Sequence, residues 1–107
     1  MLHANSEKFE SFKSRVWRVC RKIPWGRVST YRELALSIGS QAFRAVGNAL
    51  NKSPGMPKVP CHRVVKSDGS IGGFAHGEAE KKKLLEKEGV KVKNGRIVGF
   101  DEKFYGM

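Results

Sequence analysis

The sequence predicts a mainly α fold with short β-hairpins, organised around a helix-turn-helix. Three observations carry this. Apolar residues recur at helical spacing through the first half. A Gly39-Ser40 step separates two short helical stretches. Asn94-Gly95 sits between two short extended runs, the strongest short hairpin signal. The 107 residues are expected to form a single domain, 1–107, with frayed tails at 1–7 and 101–107.

Taken in order, Phe9, Phe12, Val16, Val19, Cys20 and Ile23 lie on one helical stripe, so Cys20 is expected in the core. Pro24 ends that helix, because the residue before a proline is pushed out of the α region. Trp25 to Ser29 reads as a turn and an extended link. Thr30 with Glu33 forms a capping box for a second helix, whose inward residues are Leu34, Ala35 and Ile38 and whose stop is Gly39. Ser40 is expected to cap a third helix running to Leu50, with Phe43, Val46, Gly47 and Leu50 inward. Its other face offers Gln41, Arg44, Asn48 and Asn51. Ala42, Ala45, Gly47 and Ala49 make this helix slim. A slim helix with one long Arg suits insertion into a groove with little reading of base sequence, although close packing on a neighbouring helix would explain the inward alanines equally.

A loop restrained by Pro54 and Pro57 leads to Pro60-Cys61-His62-Arg63-Val64-Val65, expected as a short apolar strand opened by a proline. Lys66 to Ser70 is a turn around Asp68-Gly69. Ile71 to Gly77 holds three glycines and is either a substrate-binding loop or a plain connector. Glu78 to Glu88 is helical, with Ala79, Leu84 and Leu85 as core contacts, the lysines 81–83 on a solvated face, and Gly89 as its stop. Val90 to Phe100 is a hairpin with a type I′ turn.

Formal net charge is +11, from 21 basic and 10 acidic residues, which points to a polyanionic partner, nucleic acid being the commonest. The two cysteines show no C-x-x-C or zinc-finger spacing, so no metal is expected. The polar start lacks an apolar signal core and no run reaches membrane-spanning length. These features predict a cytoplasmic, monomeric protein with no membrane association and a free thiol at Cys61. A thiolate attacks an alkyl carbon in one displacement, which needs a base, a pocket and a donor to the leaving oxygen. His62 is the base candidate, best held by a carboxylate. On a regular strand Cys61 and His62 point to opposite faces, so the backbone must bend for them to cooperate. A protease-like Cys/His pair would want an oxyanion hole and a third group, neither visible here.

The Pro60–Val65 hexapeptide, together with Val28-Ser29-Thr30-Tyr31 and Arg44-Ala45-Val46-Gly47-Asn48-Ala49, resembles the methylated-DNA–protein-cysteine methyltransferases, suicidal repair proteins for O6-alkylguanine. The likeness runs from about Phe9 to Val90. It implies a winged helix-turn-helix-like alkyltransferase catalytic domain that binds double-stranded DNA carrying alkylated guanine and needs no cofactor. By the resemblance, Cys61 accepts the alkyl group, His62 relays the thiol proton and Glu88 orients His62. Tyr31 presses on a phosphate, Arg44 fills the gap left by the flipped base, and Ala45, Gly47 and Asn48 lie in the minor groove. Ser53, Val59, Pro60, Gly73, Phe74 and Ala75 belong to the substrate pocket. Three positions depart from the family pattern. Ser53 replaces an Asn, loosening the hydrogen bonds around the cysteine turn; Phe74 replaces a Tyr donor; Ala75 replaces a Ser. The likeness does not extend to the family's N-terminal α/β domain, so a catalytic domain standing alone is the expectation. An alkyltransferase-like damage sensor and a regulatory helix-turn-helix protein are the rival readings, and an acceptor Cys argues against the sensor.

Overall fold

The computed structural model describes residues 10–74 and 76–107. The expected fraying at 1–7, the contribution of Phe9 to the first helix and the pocket residue Ala75 lie outside them. Helix α1 spans Phe12–Cys20 and is capped by Ser11, whose hydroxyl accepts from the Ser14 N–H at 3.1 Å. It ends before Ile23, because Lys22 and Ile23 already bond three residues back, to the Val19 and Cys20 carbonyls. Pro24 is the physical reason: it keeps Ile23 from α geometry.

Strand β1, Ser29–Thr30, runs into α2, Tyr31–Ser37. Thr30 Oγ1 accepts from the Glu33 N–H at 3.0 Å, giving half of the expected capping box. The other half is not made: Glu33 instead accepts from the Met107 N–H at 2.7 Å. Gly39 stops the helix with φ +72°. Helix α3 spans Phe43–Asn51, later than expected, because the Ser40 hydroxyl accepts from Ala42 N–H and so caps the turn instead of the helix. Phe43 leaves the inward stripe and is 39 % exposed.

Helices α1, α2 and α3 enclose a core that includes Val16, Cys20, Ile23, Leu34, Val46, Leu50 and Val59. Trp17 Nε1–H donates to the Ala49 carbonyl at 2.8 Å and Arg15 to the Ile38 carbonyl at 2.7 Å, pinning α1 across both halves of the helix-turn-helix. Strand β2, Val64–Val65, pairs with β1 in parallel, Ser29 opposite Val64. That pairing joins the start of α2 directly to the Cys61 segment.

A second core holds Val28, Val65, Ile71, Leu85, Val90, Val92 and Ile97. It is covered by α4, Glu78–Lys87, and by the hairpin of β3, Val92–Lys93, and β4, Arg96–Ile97. Asn94 and Gly95 both have positive φ, as a type I′ turn requires. Ala79, expected inward, is exposed, and Lys81 takes the buried position. The C-terminal residues are not frayed. Phe100–Lys103 form α5, Phe104 bridges to Val28, and the Tyr105 N–H donates to the Val28 carbonyl at 2.7 Å while its ring packs on the first core.

Candidate active site and the groove beside it

Cys61 is displayed by two consecutive turns. Pro60 has φ −81° and ψ 61°, and the Cys61 N–H reaches the Val59 carbonyl at 2.9 Å, an inverse γ-turn. Cys61–Arg63 then form a 3-10 turn, with Arg63 N–H on the Pro60 carbonyl at 3.0 Å. The expected strand therefore begins only at Val64, and the 3-10 turn provides the bend that Cys61 and His62 need to cooperate. The Cys61 side chain is buried at the edge of the first core, and Ser53 Oγ lies 3.4 Å from its sulfur. The Ser53 hydroxyl donates to the sulfur and accepts from the Gly55 N–H at 3.3 Å. The expected loosening is thus not what Ser53 does: its short side chain reaches the thiol itself, while backbone hydrogen bonds hold the turn.

Behind the thiol lies a buried ionic cluster. His62 Nε2 is 2.8 Å from Glu88 Oε2, and Arg63 grips the same carboxylate with Nε at 2.9 Å and Nη2 at 2.7 Å. The remaining Arg63 nitrogen, Nη1, donates to the Ile23 carbonyl at 2.8 Å. Burial alone would raise the Glu88 carboxyl, but the Arg63 and His62 donors hold it below the usual carboxylate range. Glu88 can therefore only accept, which places the imidazole proton on Nε2 and leaves Nδ1 a lone pair. His62 is 1 % exposed; burial pulls its pKa below the ordinary histidine value against the opposing pull of Glu88. It is a neutral base at pH 7. Nδ1 is buried without a protein partner among the described residues. Arg63, two residues on from the thiol in the chain, is committed to Glu88 and Ile23.

Sequence reasoning missed Lys81, whose helical run of lysines looked solvated. Its side chain is fully buried, and Nζ donates to the Gly73 carbonyl at 3.1 Å and to Tyr31 Oη at 3.3 Å. Burial lowers the Lys81 pKa to about 8 and raises that of Tyr31 to about 12, so the phenol stays protonated. The signal was available: α4 has few apolar residues on its inward face, and one long stem must fill the space. Tyr31 also reaches over Gly72, whose φ of +74° and lack of Cβ leave room for the ring.

Two spaces open beside Cys61, separated by Phe74 and His76, whose rings meet edge-on at 5.5 Å. One is narrow, between Tyr31, Asn51 and Ser53. The other is a cavity of about 410 Å³ walled by Pro54, Met56 and Leu84, with Glu80 at its rim. Gly73 lines the narrow space, whereas Val59 and Pro60, expected in the pocket, are buried and line neither. Outward from Tyr31 and Gly73 runs an open groove bordered by Arg44, Gly47, Asn48 and Lys66. Arg44 and Asn48 are exposed; Ala45 and Gly47 are half-buried, and a Cβ on Gly47 would stand 4.0 Å from the Tyr31 ring. Of the sequence-expected site residues, Cys61, His62, Ser53, Gly73 and Phe74 line the spaces at the thiol, Arg44, Gly47 and Asn48 border the groove, Tyr31 stands at both, and Glu88, Ala45, Val59 and Pro60 line neither.

Fold and site together define a helix-turn-helix domain with a buried cysteine, backed by a histidine–carboxylate pair, opening beside its second helix. No described helix is long and apolar enough to cross a membrane. The chain belongs to the 6-O-methylguanine DNA methyltransferase family: the model of that family's DNA binding domain matches residues 11–90. A methylated-DNA–protein-cysteine methyltransferase from Metallosphaera sedula is 47% identical over 83 residues, 78% of this chain and 52% of that protein. The chain spans about half the length of the curated relatives it matches. Among solved structures, S. pombe Atl1 in complex with damaged DNA containing O6-carboxymethylguanine superposes with TM-score 0.79 at 33% identity, covering 90% of this chain and 95% of that one. Mycobacterium tuberculosis OGT in complex with DNA gives TM-score 0.70 at 40% identity, covering 74% of this chain and 49% of that one.

Proposed function

We propose that this chain binds duplex DNA carrying guanine alkylated at O6 and transfers the alkyl group irreversibly to Cys61, once per molecule and without a cofactor. The observation that carries this is the placement of a thiol, a neutral buried histidine with its Nδ1 lone pair unengaged by the described residues, and a pocket at the end of a basic helix-turn-helix groove. In the transfer, Cys61 Sγ attacks the alkyl carbon, an S–C bond forms and the C–O6 bond breaks. The electron pair leaves on the guanine, and the thiol proton passes through His62 and is returned to the base. Ser53 donates to the sulfur as charge develops there. Tyr31, held by Lys81 and Gly73, stands between groove and pocket, where it would guide an extruded nucleotide inward. Arg44 on the exposed face of α3 would occupy the space the base leaves, offsetting part of a flipping cost of a few kcal/mol.

Incubation with methylated duplex should leave one methyl on Cys61 by peptide mass spectrometry, and none in Cys61→Ala. Undiminished stoichiometric transfer by that variant would sink the proposal. Arg44→Ala should slow repair of duplex more than reaction with the free alkylated base, since only duplex requires extrusion. Equal losses would remove the finger role.

A second reading, binding of the lesion without transfer, is favoured by one observation: Phe74, which lines both spaces beside Cys61, has no hydroxyl to donate to a leaving guanine. It predicts tight binding to alkylated duplex with Cys61 left unmodified in the same mass spectrum.

A further inference from the structure

Phe43 is the first residue of α3 and stays 39 % exposed although its sequence position suited the core stripe. It borders the same groove as Arg44, Gly47 and Asn48, and the Arg32 guanidinium lies 5.9 Å from its ring centroid. Phe43 and Gly47 are one helical turn apart and therefore share a face, and Gly47 lies beside Tyr31. An apolar ring is thus presented on the groove wall next to the exposed Arg44, with Arg32 over it and Lys66 across from it. Cations around an exposed apolar side chain do not suit a protein core or a lipid-facing patch. They do suit nucleic acid, where cations meet phosphates and apolar side chains enter between base steps from the minor groove.

We propose that Phe43 is an apolar wedge that enters the minor groove beside Arg44 and stacks on the base step adjoining the extruded nucleotide. This rests on the duplex-binding reading above and adds a second inserted side chain. Arg44 fills the vacancy, and Phe43 props open the neighbouring step. Arg32, whose guanidinium lies over the ring, orients it and meets the phosphate strand.

The test is binding of methylated duplex by Phe43→Ala and Phe43→Trp, both in a Cys61→Ala background so that affinity is read without transfer. Phe43→Ala should bind about tenfold more weakly, the change carried by one base–aromatic stack of ~1.4 kcal/mol. Phe43→Trp should stay within about twofold of its parent, and 2-aminopurine next to the lesion should brighten with the parent and Phe43→Trp but much less with Phe43→Ala. Thermal melting of each variant confirms that the fold is intact. Phe43→Ala binding like its parent, or Phe43→Trp falling as far as Phe43→Ala, would overturn the wedge and leave the duplex reading standing. Failure of the parent to bind any duplex would overturn both, and absence of S-methylation in the unmodified protein would end only the transfer reading.

Discussion

Replacing Glu88 by Gln keeps the shape of the side chain but puts a donor where two donors already point. Glu88 Oε2 now accepts from His62 at 2.8 Å and from Arg63 at 2.7 Å. An amide nitrogen there would face N–H groups; an amide oxygen there would turn its nitrogen toward Arg63 Nε, which holds Oε1 at 2.9 Å. With the amide nitrogen facing His62, the imidazole must accept from it, which moves its proton to Nδ1 and removes the lone pair that the proposed proton relay uses. General-base help of this kind is worth roughly 10²–10⁴-fold, so its loss should slow transfer at pH 7 by about 100-fold. The deficit should shrink as pH rises, because hydroxide then takes the proton that the imidazole no longer removes. Single-turnover rates of methyl transfer from pH 6 to 10 give the profile. Denaturant unfolding should show a loss of about 1–3 kcal/mol for Glu88→Gln and about 3–5 kcal/mol for Glu88→Ala, which strands the Arg63 charge. A deficit that stays constant across the pH range, or a Glu88→Gln rate equal to wild type at pH 7, would refute the assignment of His62 as base.

Lys81→Met tests the buried amine. Its native pKa of about 8 lies below the ordinary value of 10.5, so the unfolded chain binds more protons between these limits. The Lys81 contribution to stability should therefore rise with pH from about 8 to about 10.5, by up to ~3 kcal/mol. Titrations of Cys20 and Tyr31 run the opposite way at high pH, so the measurement is the difference between wild-type and Lys81→Met unfolding curves; a flat difference would contradict the burial of a charged amine. Cys20, fully buried with a pKa pushed up to about 12, should resist thiol reagents in the native state, so that one equivalent reacts before unfolding. Equal labelling of both cysteines would contradict this. Tyr105→Ala should cost about 1–2 kcal/mol by thermal or denaturant melting, less than a fully buried aromatic because the ring is half-buried. No change would mean that the C-terminal residues do not hold the first core.

Much was legible because local rules and tertiary packing agreed. The three-helix order, Gly39, the Asn94-Gly95 turn and the buried Cys20 follow from helical periodicity and positive-φ preference alone. The motif around Cys61 proposed an acceptor and its histidine, and the family resemblance proposed Glu88, which the fold brings to 2.8 Å of His62 across 26 residues of chain. Where sequence reading failed, a long-range partner had taken over. Glu33 left its capping box for Met107, and the supposedly frayed C-terminal residues became a helix and a bridge to Val28. Phe43 left the core stripe because α3 begins later than Ser40 implied. Lys81 entered the interior because two distant oxygens, on Tyr31 and Gly73, were there to receive its ammonium. Sequence alone proposed which side chains carry chemistry, since residue type and motif order, and the family resemblance they support, are properties of the chain before it folds. Only the tertiary structure decided that Ser53 touches the thiol, that Arg63 serves Glu88, and that Phe43 stands in the groove. Each of these depends on which segments pack together; the parallel pairing of Ser29 with Val64, across 35 residues of chain, sets the Cys61 segment beside the start of α2.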